Sequence, residues 1–133
     1  MSPKREAHEK FAERVSSELG KHHPDGGIPD LAKNFILRRK LAQAPVLVKE
    51  LSGHLKKLDD EIRGKQQELE SKIDFDLSHA VKGREIPEGS FKKQFELRDE
   101  RIARENERRN FGLLLDAVSK HVVAKFSRSG KSR

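Results

Sequence analysis

The stretch "RIARENERRNFGLLLDAVSKHVV", residues 101–123, asks for two different surroundings within one run of chain. As far as Asn110 nearly every residue is charged or carries an amide, and from Phe111 the chain turns apolar. Its match lies upstream. From Val46 the apolar positions run Leu47, Leu51, Leu55, Leu58, Ile62, Leu69, Ile73 and Leu77, mostly in alternating steps of four and three, the seam of a helix packed lengthwise on another. Between the two runs "KGREIPEGS", residues 82–90, supplies turn residues, and Ser90 suits the N-cap of a helix from Phe91 to about Phe126.

Folding the chain back about residues 86 and 87 pairs Leu47 with Phe126, Leu51 with Val122, Leu55 with Val118, Leu58 with Leu115 and Ile62 with Phe111. Apolar then meets apolar, and the polar "RGKQQE" faces the polar "ARENERR". Leu69, Ile73 and Leu77 remain to zip the far end against Phe91, Phe95 and Ile102. The expected fold is all-α: a small helical-bundle core with a long antiparallel, coiled-coil-like helical hairpin made by the two C-terminal helices. Residues 1–126 form a single helical domain, residues 63–110 project from it with Asn110 and Gly112 marking the exit, and 127–133 form a disordered basic tail. The alternative is a closed four-helix bundle. Gly53 and Gly64 are the positions where the long helix would bend or break.

Working back towards the start, Ala7, Phe11, Val15 and Leu19 recur every fourth position, an apolar stripe on a helix over residues 4–20 that Gly20 is placed to end. "KHHPDGGIPD", residues 21–30, reads as a loop. Asp30 is the expected N-cap of a second helix over 31–44, whose Leu31, Phe35, Ile36, Leu37 and Leu41 make a broad apolar face, and Pro45 is placed to close or kink that helix.

Composition limits the core. Of 133 residues, 38% are charged and 33% hydrophobic, near the low end for a packed domain. With no Cys there is neither a disulfide framework nor a cysteine zinc site. The charged opening "MSPKREAHEKFAERV" and the lack of any long apolar run predict a soluble, cytoplasmic protein with no membrane contact.

The chemistry-bearing residues do not converge. The six histidines include no His-x-x-x-His pair, so neither metal nor cofactor is expected. His54 and His121 fall near the same register position and are expected to face each other. Asp74 and Asp76 point about 200° apart on a helix and cannot grip one ion together. No nucleophile elbow and no phosphate-cradling glycine loop is present, so no enzyme is expected.

Charge carries more. The chain is +7 overall, and residues 31–58 hold seven bases against one acid, residues 59–80 three against seven, and residues 111–133 five against one. Lys33, Arg38, Arg39, Lys40, Lys49, Lys56 and Lys57, with Arg128, Lys131 and Arg133 of the tail, are the candidate contacts to nucleic-acid backbone. Without Trp or Tyr to stack on, duplex or structured nucleic acid fits better than single strands. The expected function is a non-enzymatic accessory protein that binds phosphate backbone. The rival is a helical-hairpin interaction module, docking a protein partner or a second copy, with Arg101, Arg104, Arg108, Phe91 and Phe95 as its contacts.

Overall fold

The computed structural model describes residues 6–129, with side chains as far as Phe126, and these are all-helical in five elements: α1 (Ala7–Gly20), α2 (Gly27–Arg39), α3 (Ala44–Val81), α4 (Ser90–His121) and α5 (Val123–Ser129). The chain divides into two compact units. One comprises the residues up to Leu55 and those from Asn110 onward, and the other is Lys56–Arg109. The boundary between the two units on the first long helix falls at residue 56.

Local chemistry sets each boundary. Glu6 caps α1 through a capping box in which its backbone N–H donates to Glu9 Oε1 at 3.2 Å, so the helix starts at residue 7 where the sequence suggested 4. The second helix starts four residues before its expected point. Gly26, at φ 83°, turns the chain, and Asp25 Oδ1 accepts the Gly27 N–H at 3.2 Å. Pro29 then sits in the first turn, where a missing N–H costs no helical bond, and Asp30 lies inside that turn with its charge against the positive helix end. The helix stops at Arg39 because Lys40 adopts a left-handed conformation, φ 56°, with its N–H turned onto the Ile36 and Leu37 carbonyls. Pro45 closes nothing; it lies in the first turn of α3. That helix runs through Gly53 and Gly64 without a break. The expected last helix divides at Val122, yet the bonds from Val122 N to Val118 O and from Phe126 N to Val122 O, both 2.9 Å, carry the ladder across. Residues 127–129 of the expected tail are the end of α5, and 130–133 lie outside the described residues.

The first unit holds most of the core. Phe11, Ala12, Val15 and Leu19 of α1 are buried, as are Ala32, Phe35 and Ile36 of α2, Leu47 and Leu51 of α3, and Leu114, Val118 and Val122 further on. Phe111 packs on the His54 ring, centroids 4.5 Å apart, and on Phe35 at 5.6 Å. The sequence register gave Phe111 to Ile62, eight positions beyond His54. A seam that repeats every seven residues keeps apolar opposite apolar when it slips by two turns, so the pattern alone does not choose between such registers.

The second unit has its own seam, and much of it is polar. Arg108 Nε donates to Asp59 Oδ1 at 2.9 Å, Arg104 Nε meets Glu61 Oε1 at 2.8 Å and Lys65 Nζ meets Glu100 Oε1 at 2.9 Å. Arg101 donates to Gln66, Lys72 Nζ donates to Ser90 Oγ at 3.0 Å, and Gln94 donates to Asp76. From Asp59 with Arg108, through Lys65 with Glu100, to Lys72 with Ser90, positions on α4 fall as those on α3 rise. Leu58, Leu69 and Leu97 supply the buried apolar contribution of this unit. Ile73, Leu77, Phe91, Phe95 and Ile102, expected to zip this end, are all exposed, from 36% for Ile73 to 58% for Leu77.

Candidate functional site

The basic residues named from the sequence meet different fates. Arg38, Lys40 and Lys49 are exposed in the first unit and take part in no ion pair among the described residues. Lys33 is half-buried. Arg39 is occupied: its Nη1 donates to Glu50 Oε1 at 3.1 Å, its guanidinium lies 4.5 Å from the Phe35 ring centre, and its Nη2 is 3.5 Å from His54 Nδ1. Lys56 and Lys57 are exposed at the start of the second unit and also make no ion pair among the described residues. The side chain of Arg128, and Lys131 and Arg133 entirely, lie outside what the structure describes.

In the second unit Arg101, Arg104 and Arg108, named as partner contacts, are half-buried and spent on Gln66, Glu61 and Asp59. Phe91 and Phe95, named with them, are 56% and 54% exposed. Arg98 lies 5.1 Å over the Phe95 ring. The inward places are taken by Lys72, Asp76, Ser90 and Gln94. Burial alone would raise the Asp76 carboxyl, but hydrogen bonds from Gln94 and Lys72 outweigh it and hold the group below the usual Asp value. A signal for this arrangement was present in the sequence: opposite charges at 59 and 108, 61 and 104, and 65 and 100 fall on one register, whereas an apolar seam reading passes over them.

His54 and His121 do not pair. His54 packs among Phe35, Phe111 and Arg39, while His121 stacks on His22 with ring centroids 3.7 Å apart and has His23 edge-on at 6.4 Å. Burial first, then the neighbouring His22 and His23, lowers the His121 pKa. Next to this cluster, Glu18 accepts from Lys125 Nζ at 2.7 Å and from Lys21 Nζ at 3.3 Å, and the Lys125 hydrogen bond is the main cause of a carboxyl pKa lowered to about 2. Among the described residues no group of three or more His, Cys, Asp or Glu is arranged to hold a metal ion, and no helix is long and apolar enough to cross a membrane.

The surfaces that remain are chemically simple: unpaired cations around the end of α2, and an apolar exposure on the second unit. Set against protein-family models, curated proteins and solved structures, the chain matches none of them.

Proposed function

We propose that this chain is a non-enzymatic accessory protein that contacts the backbone of duplex or structured nucleic acid through the cations around the end of α2. The observation that carries the reading is a division of labour among the bases. Arg104 and Arg108 of α4 are neutralised by Glu61 and Asp59 of α3, while Arg38, Lys40 and Lys49 stay exposed and unpaired. An unpaired surface cation releases phosphate counterions on binding without first giving up a carboxylate partner. Lys56 and Lys57 offer further charge at the start of the second unit.

The test is fluorescence anisotropy of labelled duplex DNA, single-stranded DNA and duplex RNA at three salt concentrations. Wild-type affinity for the duplexes falls steeply with salt, and the Arg38→Ala/Lys40→Ala/Lys49→Ala variant shows a slope shallower by about 2 to 3. An unchanged slope in that variant rejects the assignment.

A second reading has its own support. We infer that Lys56–Arg109 acts as an antiparallel, coiled-coil-like helical hairpin that serves protein association. The exposed Phe91 and Phe95 favour it, because solvent-facing aromatic side chains in a cluster mark interaction sites more often than isolated surface residues do.

A further inference from the structure

The second unit exposes Ile73, Leu77, Val81, Phe91, Phe95 and Ile102 on one side, while Phe75, 48% exposed on the other flank of α3, carries Lys72 Nζ 5.1 Å over its ring and His79 at 4.2 Å. The inward direction of each helix is given by Leu69 and Asp76 on α3 and by Gln94 and Leu97 on α4. Turning about 100° per residue from those positions, Ile73, Leu77 and Val81 rotate to one flank of α3, and Phe91, Phe95 and Ile102 rotate by a similar angle on α4. In an antiparallel pair, equal rotations in the same sense bring both sets to a common face. The opposite face carries a shallow groove lined by Gln67, Glu68, Ser71, Lys72, Lys93 and Leu97, in which charged and amide side chains outnumber apolar ones.

We propose that this apolar face is the docking surface for a second copy of this chain; the proposal rests on the association reading of Lys56–Arg109 and is independent of the nucleic-acid reading. The charge pattern selects a second copy over other occupants. Glu70 and Asp74 border the face on α3, and Arg98 borders it on α4. A copy turned about a two-fold axis that lies in the interface parallel to the helices lays α3 over α4 and α4 over α3, so the acids of each copy meet the base of the other. The area is also sufficient. A half-exposed Phe side chain leaves roughly 100 Å² open, so the face offers on the order of 500 Å², the upper end of what monomers tolerate. Used twice in a two-fold contact, it buries about 1,000 Å², where specific interfaces begin. The seam beneath explains why these residues point outwards: its inward places are filled by the Lys72, Asp76, Ser90 and Gln94 network, so the apolar residues are not needed there.

The experiment is sedimentation equilibrium of the full chain over a wide concentration range, with circular dichroism to confirm that every variant keeps its helix content. Wild type is expected to rise from 15.2 kDa towards twice that mass. Phe91→Ser/Phe95→Ser is expected to weaken association tenfold or more. Arg98→Glu alone and Glu70→Lys/Asp74→Lys alone are each expected to weaken it, and an equimolar mixture of the two restores it as a mixed dimer. A wild-type chain that stays at 15.2 kDa throughout overturns self-docking. So does a dimer indifferent to the Phe substitutions, since its interface lies elsewhere. Photo-crosslinking from position 95 in a cell extract then separates the two failures: a single captured protein keeps the association reading with a different occupant, and no capture removes it.

Discussion

Gln94 donates a hydrogen bond to Asp76, which is 3% exposed, while Leu77, the next residue, is 58% exposed. Lys72 Nζ lies 3.3 Å from the other carboxylate oxygen and 3.0 Å from Ser90 Oγ, so four polar side chains occupy a place that an amphipathic pattern assigns to apolar ones. A buried polar cluster of this kind costs more to break than to replace.

Asp76→Ala should therefore lower the thermal midpoint, because Lys72 and Gln94 lose their shared acceptor. Replacing Lys72, Asp76 and Gln94 together by Leu should leave the midpoint unchanged or raise it. Differential scanning calorimetry of the two variants decides the matter, and a larger loss in the triple variant would show that the network supplies net stability.

Glu18 ties α1 to α5 through Lys125 at 2.7 Å, and that bond lowers its pKa to about 2. A carboxylate whose pKa is depressed on folding stabilises the fold above its unfolded value, and the contribution fades as pH falls through the folded one. Glu18→Gln should accordingly be less stable than wild type at pH 7, and the two denaturation midpoints should converge between about pH 4.5 and about pH 2. Curves that stay parallel through that window would place the stabilisation elsewhere.

His121 behaves in the same sense from a different cause. Burial and the adjacent His22 and His23 depress its pKa below 6.5, so the unfolded chain binds the proton more readily than the folded one. Stability should then fall as pH drops below 6.5, and His121→Phe should flatten this part of the profile while keeping a ring against His22. Urea midpoints taken at half-unit steps from pH 7.5 to pH 5 provide the check.

Gly53 and Gly64 sit inside the uninterrupted α3, and a methyl group built on either meets nothing within 4 Å. Each Gly→Ala change should stabilise the chain by about 0.5 to 1 kcal/mol, since Ala has the higher helix propensity and loses less backbone freedom on folding. Chemical denaturation measures this directly. Destabilisation at either site would mean that α3 bends there in solution.

All-helical structure was legible from the residues, because the 3.6-residue period of Phe11, Val15 and Leu19 and of Leu47, Leu51 and Leu55 is a local property that each helix carries by itself. So was the interior of the first unit, where these positions are buried. The start of α2 was missed because a left-handed Gly26 and a proline in the first turn fit a helix as well as they fit a loop. Of the site residues, Arg38, Lys40 and Phe95 are exposed, whereas Arg39, Arg104 and Arg108 are held by partners on other turns or helices. Single-helix periodicity contains no information about those partners.

What the sequence by itself determined is that the chain is helical and that Phe11, Val15, Leu19, Leu47 and Leu51 close the first unit, since both follow from short-range spacing and the aversion of Leu, Val and Phe for water. Only the tertiary structure decided the register of α3 against α4, and with it the burial of Asp76 and the exposure of Leu77, Phe91 and Phe95. The physical reason is degeneracy. A seam repeating every seven residues has several apolar matches of similar worth, and specific long-range pairs such as Asp59 with Arg108 and Lys65 with Glu100 accompany only one of them.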